Sequence, residues 1–197
     1  MPPELTSALI QEELSRISTV SPRTASQLLE HTALRAMARG ELPEQEGEPL
    51  RCEYIVLRGI VRAFVRSPEG EEATVNFYTD HQPVTPALMR SVNAVCFLNL
   101  EVISPDAELL LFSYAGMTRQ MQDNEDLKRF GYQVMMMDAF GRAERERMLL
   151  TAPGRDKLRW FRQRFPNLEN RIPHYYIASY LGLTPTSMSR LRAQHPD

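Results

Sequence analysis

The sequence predicts an α+β chain in which helices flank an antiparallel β sandwich or barrel. Three observations predict it. Apolar residues recur at helical spacing up to Met37, alternate in steps of two between Arg51 and Tyr114, and return to steps of three and four after Gly116.

Each element follows from its own residues. Leu5, Leu9, Ile10, Leu14 and Ile17 lie on one face of an amphipathic helix over residues 4–17. Ser21 caps a second helix, Pro22 occupies its first position, and the pattern carries it to about Met37. Strands are predicted at Cys52–Leu57, around Val61–Arg66 and Ala73–Tyr78, at Ala94–Ile103 and at Leu109–Tyr114, with Ser67-Pro68-Glu69-Gly70 as a turn. Their short spacing suits antiparallel pairing, not parallel βαβ units. A long helix then runs from about Thr118 to Thr151, with Leu127, Phe130, Val134, Met137 and Gly141 forming a heptad seam. Packed against its copy across a two-fold axis, that seam makes a homodimer, although it could instead pack on its own β domain. Pro153-Gly154 breaks the chain before a further helix carrying Leu158, Phe161 and Phe165.

The composition belongs to an ordinary folded chain: 197 residues, 43% apolar, 24% charged, net charge −2. No uncharged run approaches the roughly 20 residues of a membrane helix, and Glu4, Glu12 and Glu13 interrupt any N-terminal secretion signal. Two cysteines, Cys52 and Cys96, give neither a disulfide framework nor a cluster-ligand run, so a cytoplasmic location is expected. The charge is uneven. Residues 1–141 hold 12 Lys+Arg and 20 Asp+Glu, or −8, whereas residues 142–197 hold 11 and 5, or +6. A basic end suits a polyanion, because nucleic-acid affinity comes largely from neutralised phosphates.

That end carries RIPHYYIASYLGLTPTSMSRLRAQHPD, which has the spacing of a helix-turn-helix. Ile177, Ala178 and Leu181 are the inward residues of the first helix, and Gly182 can take the left-handed conformation that turns the chain. Thr184 caps the second helix, Pro185 starts it, and Met188 and Leu191 point inward. The outer face presents Pro185, Thr186, Ser189 and Arg190, with Thr184, Ser187 and Arg192 as further candidate DNA contacts. Arg190 is the expected guanine reader, since a guanidinium can donate two bonds to O6 and N7.

Two helices, a small β-roll, a long helix and a C-terminal helix-turn-helix follow one another as in the Crp/Fnr family of bacterial transcription regulators, which the chain resembles over nearly its whole length. YYIASYLGLTPTSMSRLR and EYIVLRGIVRAFVRSPEGEEATVNFYTD, with Gly59 and the Pro68–Gly70 turn, carry the resemblance most specifically. It implies a jelly-roll, cyclic-nucleotide-binding-like sensor domain with the N-terminal helices over 1–116. A dimerisation helix over 117–152 and a winged-helix-type DNA-binding domain over 153–197 would follow. The sequence ends six residues after Leu191, leaving the final wing truncated or absent. Double-stranded DNA and a second copy of the chain are the implied partners, with RNA polymerase as a further one and no membrane.

The implied effector pocket is degenerate. Where cyclic-nucleotide-binding members have Gly-Glu at the start of a short helix, this chain has Thr85-Pro86, and Pro86 removes a backbone donor. The family's later Arg-Ser falls near Phe97-Leu98, or is displaced to Arg90-Ser91. Thr85, Pro86, Arg90 and Ser91 are therefore the candidate pocket residues, for an unknown effector or none, with no cofactor expected. The recognition helix departs as well: Pro185-Thr186 replaces the Arg-Glu of well-known members, so only the Arg190 contact carries over.

Catalysis is not expected. A metal-holding β-barrel needs clustered His and Glu, and only His81 lies near the β region, while Glu69, Glu71 and Glu72 surround a turn. The isolated His31, His81, His174 and His195 give no metal or haem set. The rival to a DNA-binding regulator is a β-roll interaction protein that has lost specific DNA binding, or a sensor of an unidentified small ligand.

Overall fold

The computed structural model describes residues 3–195. In chain order its elements are α1 (Ser7–Ser15), α2 (Pro22–Leu28), β1 (Thr32–Ala38), β2 (Cys52–Arg58), β3 (Val61–Arg66), β4 (Glu72–Tyr78), β5 (Gln82–Pro83), β6 (Ser91–Val92), β7 (Val95–Cys96), β8 (Asn99–Val102) and β9 (Asp106–Ser113). The helices α3 (Tyr114–Asp123), α4 (Glu125–Thr151), α5 (Gly154–Arg164), α6 (His174–Tyr180) and α7 (Pro185–Gln194) follow. The strands form a four-stranded sheet in the order β1-β9-β2-β5, a three-stranded sheet in the order β4-β3-β8, and the β6-β7 pair. The chain divides into two compact units: one up to Arg62 and from Phe77 to Ala139, the other Ala63–Asn76 with the chain from Phe140 onward.

In the first unit, β9 is the centre of its sheet, with β1 antiparallel on one side from Thr32↔Phe112 to Ala38↔Asp106 and β2 antiparallel on the other. Alternate residues of β2 and β9, Ile55, Leu57, Leu110 and Phe112, pack against Ile10 and Leu14 of α1, Ala25 and Leu28 of α2, and Met117 of α3. Thr6 accepts the Leu9 N–H at 3.2 Å and Ser21 the Thr24 N–H at 3.3 Å, which fixes where α1 and α2 begin. The β2–β3 turn requires Gly59. Its φ is +108°, and a Cβ there would stand 2.7 Å from both the Ala107 Cβ and the Asp106 carbonyl oxygen.

The second unit has its own core. Leu158 and Phe161 of α5, Ile177, Ala178 and Tyr180 of α6, and Met188 of α7 are all buried. Trp160 and Tyr180 stack with centroids 6.1 Å apart, and Phe161 and Phe165 meet Tyr180 edge-on at 5.9 and 5.7 Å. The tip of the β3–β4 hairpin belongs to this unit. Its turn closes by the Gly70 N–H on the Ser67 carbonyl at 2.9 Å. The Thr74 N–H donates to Ser179 Oγ at 2.9 Å, and Arg145 of α4 donates to the carbonyls of Thr74 at 3.3 Å and Tyr180 at 2.8 Å.

Four sequence expectations are corrected. The second helix ends at Leu28, and residues 32–38 form β1, because seven residue pairs with β9 outweigh the helix preference of Ala-Leu-Arg-Ala-Met. The single strand predicted over Ala94–Ile103 is two short ones, β7 and β8. The long helix is broken at Asn124, whose extended backbone stops α3 and whose Oδ1 accepts the N–H groups of Asp126 and Leu127 at 3.0 and 3.2 Å to start α4. Finally, Leu127, Phe130 and Val134 do not face outward. They are buried in the core of the first unit against α1, α2 and the sheet. A Cβ on Gly141 would lie 2.5 Å from an Arg164 nitrogen, so that flank is also covered, and of the five seam residues only Met137 is exposed.

Candidate functional site

In the second unit, α6 ends at Tyr180, Gly182 turns the chain at φ +61°, and α7 begins at Pro185. Thr184 caps α7, accepting the Ser187 N–H at 3.1 Å and donating to Ser187 Oγ at 2.9 Å. Capping therefore engages both Thr184 and Ser187. Thr186, Ser189 and Arg190 are exposed and engage no partner among the described residues. Arg192 differs. Its Nε donates to Glu169 at 2.6 Å and Nη1 lies 3.0 Å from His174 Nδ1, so it ties α7 to the rest of its unit.

Glu169 is the residue that sequence reasoning missed here. It is 3% exposed, and besides Arg192 it accepts from Arg162 of α5 at 2.6 and 3.3 Å. Burial pushes its carboxyl pKa up, but hydrogen bonds and charge from Arg162 and Arg192 outweigh that and hold it below the ordinary value. One carboxylate thus fixes the two cationic groups that set the position of α7.

The first unit brings Thr85, Pro86, Arg90 and Ser91 together around a single-turn helix, Ala87–Met89. Their chemistry is inward. Arg90 is fully buried and its guanidinium pairs with Glu44, donates to the Cys52 carbonyl, and reaches the Thr85 carbonyl through Nε at 2.9 Å. Burial lowers its pKa to about 10, so it stays charged at neutral pH. With Glu44 paired to it, no net charge is left on this guanidinium for a phosphate. Thr85 is buried too, donating to Asp138 Oδ1 at 2.5 Å, so its contact with Tyr78 at 2.5 Å must have the phenol as donor. Ser91 Oγ returns to the Ala87 carbonyl at 2.8 Å.

Beside this network lies a cavity of about 290 Å³ between β2, the segment after β5, and helices α3 and α4. Its walls are apolar and aromatic: Tyr54, Phe112, Tyr114, Met117, Phe130 and Val134. Glu53 also lines it. The Glu53 oxygens accept the Ala87 N–H at 3.1 and 3.0 Å and stand 3.5 Å from Arg90 Nη2. Burial pushes its pKa up to about 7, with the Ala87 hydrogen bond opposing. Sequence pattern held only a faint signal for it, a carboxylate inside an otherwise apolar strand.

Among the described residues, no group of three or more His, Cys, Asp or Glu side chains is placed to hold a metal ion, and no helix is long and apolar enough to cross a membrane.

No protein-family model matches the chain, and no curated protein matches it. Solved structures do. FixK2 from Bradyrhizobium japonicum is 17% identical, with a TM-score of 0.73 over 83% of each chain. A putative transcriptional regulator of the Crp/Fnr family from Eubacterium rectale is 14% identical, with a TM-score of 0.71 over 89% of this chain and 83% of that one. The c-di-GMP responsive global regulator CLP of Xanthomonas campestris is 15% identical, with a TM-score of 0.66 over 88% of this chain and 91% of that one. At such low identity the likeness is one of backbone: this chain has the fold of the Crp/Fnr-type regulators.

Proposed function

We propose that the protein is a sequence-specific, double-stranded-DNA-binding transcription regulator that acts as a homodimer. The observation that carries the reading is α7: a capped helix on a chain end of charge +6, tied down by Glu169, with Thr186, Ser189 and Arg190 free on its outer face. In a helix-turn-helix such a face enters the major groove, where Arg190 reads guanine and the hydroxyls reach bases or phosphates. Arg192 serves the fold instead. RNA polymerase is a further partner of this reading, and the protein acts in the cytoplasm without catalysing a reaction.

The dimer face on this reading is the side of α4 turned away from the core. Tyr132, Met136 and Ala139 are exposed and recur at steps of four and three. Apolar residues at that spacing suit a second copy of the same helix. Met136→Glu, which puts a charge on this face without touching the core, is expected to shift the protein from dimer to monomer in sedimentation. A dimer that persists would exclude α4 as the interface.

Selection of bound duplexes from a random pool, at two salt concentrations, tests the DNA reading. A two-fold-symmetric sequence is expected, bound less tightly at higher salt. Arg190→Ala is expected to lower discrimination at one base pair per half-site by about 1–3 kcal/mol. Uniform weakening over all sequences would assign Arg190 to a phosphate. Absence of binding at either salt would favour an interaction protein that keeps the roll.

A further inference from the structure

We propose that the cavity bounded by β2, α3 and α4 is a binding site for a small apolar amine, whose hydrocarbon body fills the aromatic chamber and whose ammonium group pairs with Glu53. The size fits a two-ring molecule. A cavity of about 150 Å³ accepts one benzene, and this one holds about 290 Å³. The walls are otherwise mostly apolar, with Ile55, Val84, Pro86 and Leu88 beside the aromatic residues; the remaining polar side-chain groups are the hydroxyls of Tyr114 and Thr118 and that of Tyr54, which donates to the Pro43 carbonyl. A polar or doubly charged ligand would lose its water there without recovering hydrogen bonds.

The charge balance selects the head group. Two carboxylates, Glu44 and Glu53, flank one guanidinium, Arg90, and Arg90 is committed to Glu44 and to two carbonyls. Glu53 keeps only the Ala87 N–H and a 3.5 Å approach of Arg90, and so retains acceptor capacity on the cavity side. An ammonium answers that charge, and the rings of Phe112, Tyr114 and Phe130 favour a cation over their faces. A carboxylic acid meets like charge and is rejected. The groups around Glu53 are Arg90 from the segment after β5, Cys52 and Tyr54 on its own strand, and Tyr114 at the start of α3. From α4 the cavity is lined by Phe130, Gly131, Val134 and Met135, none of which titrates near neutrality. Ionisation of Glu53 itself therefore governs the pH dependence. As a control on DNA binding the site would rest on the regulator reading above, but the binding of an amine does not.

Titration calorimetry of the full chain without DNA tests it, with naphthylmethylamine, naphthoic acid and methylnaphthalene as matched probes. The amine is expected to bind at least about tenfold more tightly than either of the others. Lowering the pH from about 8 to about 5.5, which protonates a Glu53 of raised pKa, is expected to weaken the amine at least about tenfold while leaving the hydrocarbon unchanged. Glu53→Gln should reproduce that loss at neutral pH. Thr118→Trp, at an exposed position on the cavity rim, should block all three probes. No saturable binding by the wild-type chain, equal binding of the three probes, or amine binding undiminished by either substitution would overturn the proposal. Because no DNA is present, its failure would leave the regulator reading to the duplex selection.

Discussion

Replacing Glu169 by alanine is expected to destabilise the C-terminal unit by about 2–3 kcal/mol and to abolish ordered presentation of α7. Breaking a fully buried ion pair costs about 3–5 kcal/mol, because the surviving partner is stranded. Here Arg162 and Arg192 are 23% and 33% exposed, so both can turn partly into water, which places the effect below that range. The loss still exceeds an ordinary surface pair, since two charged hydrogen bonds at 2.6 Å disappear together and two guanidinium groups are left side by side. Trp160, the only tryptophan in the chain, lies in this unit and reports its unfolding in denaturant. The pH dependence has a definite sign. The folded-state pKa of Glu169 lies below its ordinary value, so the stabilisation is complete above the unfolded pKa and is lost as the pH falls through the folded one. Wild type and Glu169→Gln should differ clearly at neutral pH and converge in acid. Equal midpoints at neutral pH would show that the carboxylate holds nothing.

A larger effect, about 3–5 kcal/mol, is expected from Arg90→Met in the first unit. Methionine fills much of the space left by the arginine stem but cannot neutralise Glu44, which is 4% exposed and has one oxygen already unpartnered. The carbonyls of Thr85 and Cys52 lose their donor in the same step. The double variant Arg90→Met with Glu44→Gln removes the stranded charge and should recover a large part of the loss, because an apolar or neutral replacement of a whole buried pair is often tolerated. Thermal melts followed by circular dichroism give both numbers. If the double variant is no more stable than the single one, the cost comes from the lost carbonyl contacts and not from Glu44.

These two networks are also what the sequence conceals. Glu44 and Arg90 are separated by 46 positions and Glu169 and Arg192 by 23, so no local pattern pairs them. Features set within a few residues were legible: the Ser21-Pro22 and Thr184-Pro185 helix starts, the Ser67–Gly70 turn and the left-handed Gly182, whereas the two-residue alternation read over Val61–Arg66 is absent from β3, where Val61, Arg62, Ala63 and Phe64 are all buried. The outer face of α7 followed from them. Residues 32–38 read as a helix because the local preference is helical, while the deciding interaction is pairing with β9 some seventy residues later. The spacing of Leu127, Phe130 and Val134 correctly marked a buried stripe. Periodicity says that a helix face is covered, not what covers it, and here the cover is the chain's own core.

Arg145 joins segments that are far apart in sequence, the hairpin carbonyl of Thr74 and the α6 carbonyl of Tyr180. It follows that order along the chain is a poor guide to where the protein can be cut. A fragment ending at Ala139 would carry the hairpin tip without the residues that satisfy its backbone, and a fragment starting at Phe140 would hold Arg145 with one of its two acceptors missing. Limited proteolysis between the units would have to sever three connections, after Arg62, after Asn76 and after Ala139. The C-terminal unit is thus discontinuous in sequence, and excising it intact means carrying residues 63–76 along, for instance by grafting that hairpin through a designed linker.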